Sequence, residues 1–176
     1  MVRLAIVACG VLALAACKGD GPAETNAAGN SVANTAETRA SAPLTKDQAL
    51  ALMHERHEHM ESLGDAAKNA GRELKSGSPE LSTVQASAKQ MTDLAPKLLS
   101  WFPAGTGPDV GKTRAKPEIW QKQEDFALKA KDFEDAATDF AAASQSGDLP
   151  RINATFGAVG KSCKACHDLY RAPEKD

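Results

Sequence analysis

Cys163-Lys164-Ala165-Cys166-His167 places two thiols three residues apart and an imidazole directly after the second, close to the C-terminus. Two thiols at that spacing can add across the two vinyl groups of a haem, and the adjacent histidine is then positioned to bind its iron. The alternatives are a structural disulfide or half of a zinc site. Zinc needs four ligands, and the only other cysteines, Cys9 and Cys17, lie in or beside an N-terminal export segment. The histidine would also be idle under either alternative. The motif predicts one covalently bound haem c per chain, with Cys163 and Cys166 as the attachment and His167 as an axial iron ligand.

Four segments with helical apolar period must position this chemistry. The first, Thr45 to about Lys75, carries Met53, Met60, Leu63, Ala67, Ala70 and Leu74, with Thr45 as its N-cap. In the second, Leu81, Val84, Ala88, Met91, Ala95 and Leu98 alternate spacings of three and four, and Ser78-Pro79-Glu80 reads as N-cap, first-turn proline and first-turn acid. The third opens at Lys116-Pro117-Glu118 and sets Ile119, Phe126, Phe133 and Phe140 seven apart. The fourth follows Gly147-Asp148 and places Ile152, Phe156, Val159, Cys163, Cys166 and Tyr170 on one stripe, so a haem on those cysteines would face the interior of a bundle.

Short links at Ser76-Gly77 and Gly147-Asp148 imply antiparallel neighbours, and the Gly- and Pro-rich stretch Phe102 to Ala115 crosses between the second and third helices. No strand-like alternation competes. The expected fold is all-α, an antiparallel up-down-up-down four-helix bundle over residues 44–176.

Ahead of the bundle, residues 1–16 carry one cation, Arg3, and the apolar run Leu4 to Ala16, too short for a membrane span. Leu14-Ala15-Ala16-Cys17 resembles a bacterial lipobox, in which Cys17 is lipidated and becomes the mature N-terminus. Ordinary cleavage near Ala15 is the alternative. Residues 17–43 are small and polar, with Val32 as the only large aliphatic side chain, and are expected to be a tether of roughly 25–30 Å root-mean-square reach. The expected location is periplasmic, with the membrane reached through the lipid on Cys17. A formal charge of −2 provides no field for nucleic acid.

Between Leu50 and Arg171 the chain resembles the cytochrome c prime family, the class II cytochromes c. The resemblance rests on Arg56 with Met60, on Phe102-Pro103-Ala104-Gly105-Thr106, on Lys116-Pro117-Glu118-Ile119-Trp120, and on the run from Gly160 through the haem motif to Arg171. It implies thioether bonds at Cys163 and Cys166, His167 as the fifth iron ligand, Arg56 near a haem propionate and Arg171 near the proximal side. It further implies a homodimer through the first two helices. For either arginine a solvated surface charge is the alternative.

Function then turns on the sixth iron position. Met60 falls where family members place a bulky apolar residue or a ligating methionine, although some five-coordinate relatives also have methionine there. A thioether ligand raises the potential and suits electron transfer, so Met60 is expected to be the second axial ligand. His57, one turn from Met53 and Met60, reads by default as an imidazole at the edge of a charged surface and competes as a ligand only if it faces inward, and His57-x-His59-Met60 could catch copper only with a second ligand segment.

The expectation is an exported electron carrier, not an enzyme, that exchanges single electrons with redox partner proteins outside the cytoplasm. No nucleophile triad or Gly-rich phosphate loop points elsewhere. A five-coordinate haem protein binding nitric oxide or carbon monoxide, and a haem-free envelope bundle, are the alternatives.

Overall fold

The computed structural model describes residues 43–174, within a single compact unit, Ser41–Asp176. The signal segment, Cys17 and all of the tether except Pro43 lie outside the described residues. Helix α1, Lys46–Lys75, starts where Thr45 completes a capping box: its hydroxyl accepts from the Gln48 N–H at 3.3 Å and the Gln48 side chain accepts from the Thr45 N–H at 2.9 Å. Its outer face is polar, and Ala49, Met53, Arg56, Ala66 and Ala70 are buried.

Helix α2, Leu81–Leu94, begins three residues later than Ser78. Glu80, rather than Ser78, is its cap, because the Glu80 carboxylate accepts from the Ser82 N–H at 3.3 Å. The Glu80 N–H itself donates to Glu73 Oε2 at 3.0 Å, so the last turn of α1 pins the entry to α2. Pro96 has no N–H to continue the α ladder, and the chain tightens into a 3₁₀ helix, Ala95–Trp101.

The third predicted helix is two. Helix α3, Glu118–Gln121, stops at Lys122, whose backbone (φ −123°, ψ 52°) leaves the helical region before α4 resumes over Gln123–Ser146. Trp120 explains the separate turn: its indole N–H donates to the carbonyls of Phe102 and Pro103 at 3.1 and 3.0 Å, fastening α3 to the crossover. Gly147 adopts a left-handed conformation (φ 72°) that ends α4, and Asp148 caps α5, Leu149–Tyr170, by accepting from the Arg151 N–H at 3.2 Å.

The four long helices are antiparallel in sequence order. Gln90 of α2 donates to the Ser62 carbonyl of α1 at 3.3 Å, Gln85 of α2 donates to the Ser144 carbonyl of α4 at 3.1 Å, and the rings of Phe140 and Phe156 join α4 to α5 with centroids 5.3 Å apart. Every member of the Ile119, Phe126, Phe133, Phe140 stripe is buried, as are Val84, Ala88 and Met91 of α2 and Ala95 and Leu98 of the 3₁₀ helix. Burying an aromatic or large aliphatic side chain contributes about 1.5–3 kcal/mol before its ordering entropy is counted, and these two stripes supply half of the buried core.

Candidate haem site

Cys163, Cys166, His167 and Tyr170 are spaced at three, four and seven residues along α5 and so share one broad face. Both cysteines are half-buried free thiols packed against the core, and Tyr170 is fully buried. Burial pushes the Cys163 thiol up from its ordinary value, and burial followed by the neighbouring Cys163 takes Cys166 to about 11. Redox-active cysteine pairs depend on a depressed thiol, and neither of these is depressed.

His167 lies at the exposed edge of that face. Its imidazole is held below the ordinary range, first by desolvation and then by the positive charges of Arg171 and Arg114, which favours the neutral form that binds a metal. Arg171 is the C-cap of α5; its N–H donates to the His167 carbonyl at 3.0 Å and its backbone bridges to Ala115. This puts the Arg171 charge beside His167.

Met60 stands across the bundle. Helix α1 meets α5 where a Cβ on Gly71 would lie 3.3 Å from Cζ of Phe156. The two helices run antiparallel, so Met60, eleven residues back along α1, and His167, eleven forward along α5, both lie toward the same end of the bundle, at a rise of about 16 Å along each helix from that contact. Met60, Leu63, Phe102, Trp120, Cys163 and Cys166 are all partly buried apolar side chains packed against the core. Two half-buried thiols three residues apart and a neutral imidazole beside them suit an apolar ring that carries two vinyl groups.

Arg56 is not a solvated charge. It is 4 % exposed, and its guanidinium donates from Nη1 to Thr106 Oγ1 and from Nη2 to the Thr106 carbonyl, both at 3.0 Å, and from Nη2 to Thr113 Oγ1 at 3.3 Å. The rings of Phe102 and Trp120 lie 4.9 and 5.8 Å from its Cζ. Desolvation lowers its pKa, and among the described residues no carboxylate pairs with it. A buried cation held only by neutral acceptors suits an anionic group such as a propionate.

His57 faces solvent: its side chain is 68 % exposed and Nε2 lies 3.3 Å from Glu61 Oε1. The inward-facing reading is therefore corrected, because the i,i+4 partner on the outer helix face holds it there. His59 stacks on Trp101 with centroids 4.7 Å apart, and the described residues contain no cluster of three metal-ligating side chains, which removes the basis for a copper site.

Two features have no local sequence signal. The Tyr170 hydroxyl donates to the carboxylate of Asp125, and the Lys116 ammonium donates to the carbonyls of Asp168 and Leu169 at 3.3 and 3.1 Å, closing the C-terminus of α5. Both join residues more than forty positions apart.

A family model described as Cytochrome C′ matches residues 51–171. A curated cytochrome c′ of Alcaligenes xylosoxydans xylosoxydans is 45 % identical over 73 residues, 42 % of this chain and 56 % of that protein. The chain thus spans a little over half the length of that relative. Among solved structures, a cytochrome c′ described as having an unusual ligand-controlled dimer dissociation aligns with a TM-score of 0.67 at 28 % identity, over 75 % of this chain and all of that one. A nitric oxide complex of a leucine-to-isoleucine variant of cytochrome c prime from Alcaligenes xylosoxidans aligns with a TM-score of 0.64 at 28 % identity, over 74 % of this chain and 99 % of that one.

Proposed function

The chain belongs to the cytochrome c′ family, whose members carry covalently attached haem c, and from that premise we propose that it is an exported electron-transfer protein with Met60 as the sixth iron ligand. What supports this reading is the contact of α1 with α5 at Gly71 and Phe156, from which Met60 and His167 each lie eleven residues along their helices toward the same end, together with Cys163 and Cys166 half-buried against the core. Cys163 and Cys166 would hold the haem through thioethers, His167 and Met60 would bind its iron, and Arg56 would face a propionate. The group supplies one-electron chemistry, the iron alternating between ferric and ferrous. The protein's part is to exclude water from the ring, hold two axial donors and keep the Arg56 charge desolvated.

Export and a lipid on Cys17 complete the proposal, supported by the apolar run Leu4 to Ala16 and by Leu14-Ala15-Ala16-Cys17. No described helix is long and apolar enough to cross a membrane. Assembly as a homodimer is supported by the dimeric solved relative.

A second reading follows from the nitric oxide complex of the solved relative's variant: a gas ligand that displaces, or never meets, Met60. Carbon monoxide separates the two. Ferrous protein should bind it slowly, and Met60→Ala should bind it fast and show a lower reduction potential, because a lost thioether removes a preference for ferrous iron. Rapid binding by the unaltered protein would favour gas capture.

A further inference from the structure

Charge is distributed unevenly around the bundle. In residues 102–117 and 149–171 taken together there are seven lysines and arginines against two carboxylates, whereas Glu118 to Ser146 holds three cations against seven acids. The cationic segments converge at one end. The Lys116 N–H donates to the Tyr170 carbonyl at 2.9 Å and the Ala172 N–H to the Arg114 carbonyl at 2.7 Å, which binds the crossover to the end of α5. The Arg114 guanidinium donates to the Ala172 carbonyl at 2.9 Å. Lys161, Lys164 and Arg171 are exposed on the same helix whose inner face carries Cys163 and Cys166.

Two carboxylates temper this face without neutralising it. Asp168 pairs with Lys164, and Glu174 lies 3.2 Å from Arg114. Leu169, 48 % exposed, sits among these charges, giving an apolar centre with a cationic rim, the usual anatomy of a transient protein interface.

We propose that Lys161, Lys164, Leu169 and Arg171 of α5, with Arg114 and Lys116 of the crossover, form the docking surface for an acidic redox protein. This rests on the haem reading above, because the face lies over the helix that would carry the haem. Complementary charge would steer the partner to this end and orient it there. A haem held by Cys163, Cys166 and His167 would supply the one-electron chemistry, taking up the electron that the partner gives up. A single exposed leucine offers too little apolar area to insert into a bilayer, so a protein surface fits better than a lipid one.

The test uses the full haem-bearing chain and a peptide of ten glutamates. Binding by calorimetry at low ionic strength should weaken about tenfold at high salt. The exposed pair Lys161→Glu with Lys164→Glu should lose about tenfold in affinity, while Lys122→Glu with Lys131→Glu on the α3–α4 side should bind as the parent does. Oxidation of the ferrous protein by hexacyanoferrate, an anion, should slow with salt by a similar factor, and oxidation by a cationic cobalt complex should accelerate. Absence of peptide binding, equal losses in both double variants, or tighter uptake by phosphatidylglycerol vesicles than by the peptide would overturn the proposal. Peptide binding by a chain whose spectrum lacks a haem would instead sustain the face and remove the electron-transfer reading.

Discussion

Arg56 of α1 grips Thr106 of the crossover twice, donating to its hydroxyl and to its carbonyl at 3.0 Å each. Thr106 is itself fully buried, and its hydroxyl donates on to the Pro103 carbonyl at 2.8 Å. The first helix is thereby tied to the loop that crosses the bundle. Arg56→Ala should cost about 1–3 kcal/mol, since it leaves a buried carbonyl without its donor. Arg56→Lys should recover part of that stability and not the paired geometry. Thermal unfolding of the two variants checks this; equal melting temperatures for Arg56→Ala and the parent would show that the cradle contributes nothing.

Covalent attachment gives a sharper expectation. Intact mass under denaturing conditions should retain one haem per chain, and Cys163→Ala with Cys166→Ala should lose it. His167→Ala should keep the thioethers while removing the proximal donor. Haem that extracts freely into acidic organic solvent from the unaltered protein would contradict two thioether bonds.

Tyr170 makes stability fall at high pH. Burial, and then donation to Asp125, push its hydroxyl to about 12, above the ordinary value of about 10. The unfolded chain therefore loses this proton first. The tyrosine's contribution is fully present below about pH 10 and is lost as pH rises toward about 12. Tyr170→Phe should flatten that part of the profile, read by denaturant unfolding at pH 8 to 12, and a profile unchanged by the substitution would refute the assignment.

The lipid anchor is tested in a bacterial host. Mature protein should partition with detergent micelles, and Cys17→Ser should release it or block processing. Each buried methylene of an acyl chain contributes about 0.8 kcal/mol, so an acylated terminus with two or three chains is sufficient for retention. Recovery of the unaltered protein wholly in the soluble fraction with a free N-terminus would exclude the anchor.

What the sequence made legible was whatever depends on local spacing. The apolar stripes, the Thr45 N-cap, the Gly147-Asp148 turn and the alignment of Cys163, Cys166 and Tyr170 on one face all follow from periodicity and end chemistry, and the structure contains each of them. The break at Lys122 did not show, because it comes from Trp120 bonding to carbonyls in the crossover and not from a proline or glycine at the break. The cap of α2 was misplaced for a similar reason, as Glu80 is held by Glu73 of the preceding helix. Arg56 was legible as a family position but not as a buried one, since the partners that bury it lie about fifty residues away. His57 was ambiguous by spacing alone, and Glu61 resolved it.

The ferric absorption spectrum of the unaltered, haem-loaded protein at neutral pH tests the central claim most directly. With His167 and Met60 on the iron it should be low-spin, with a weak sulfur-to-iron band in the far red that disappears in Met60→Ala. A high-spin ferric spectrum in the unaltered protein, left unchanged by Met60→Ala, would contradict the account and leave Met60 as core packing alone.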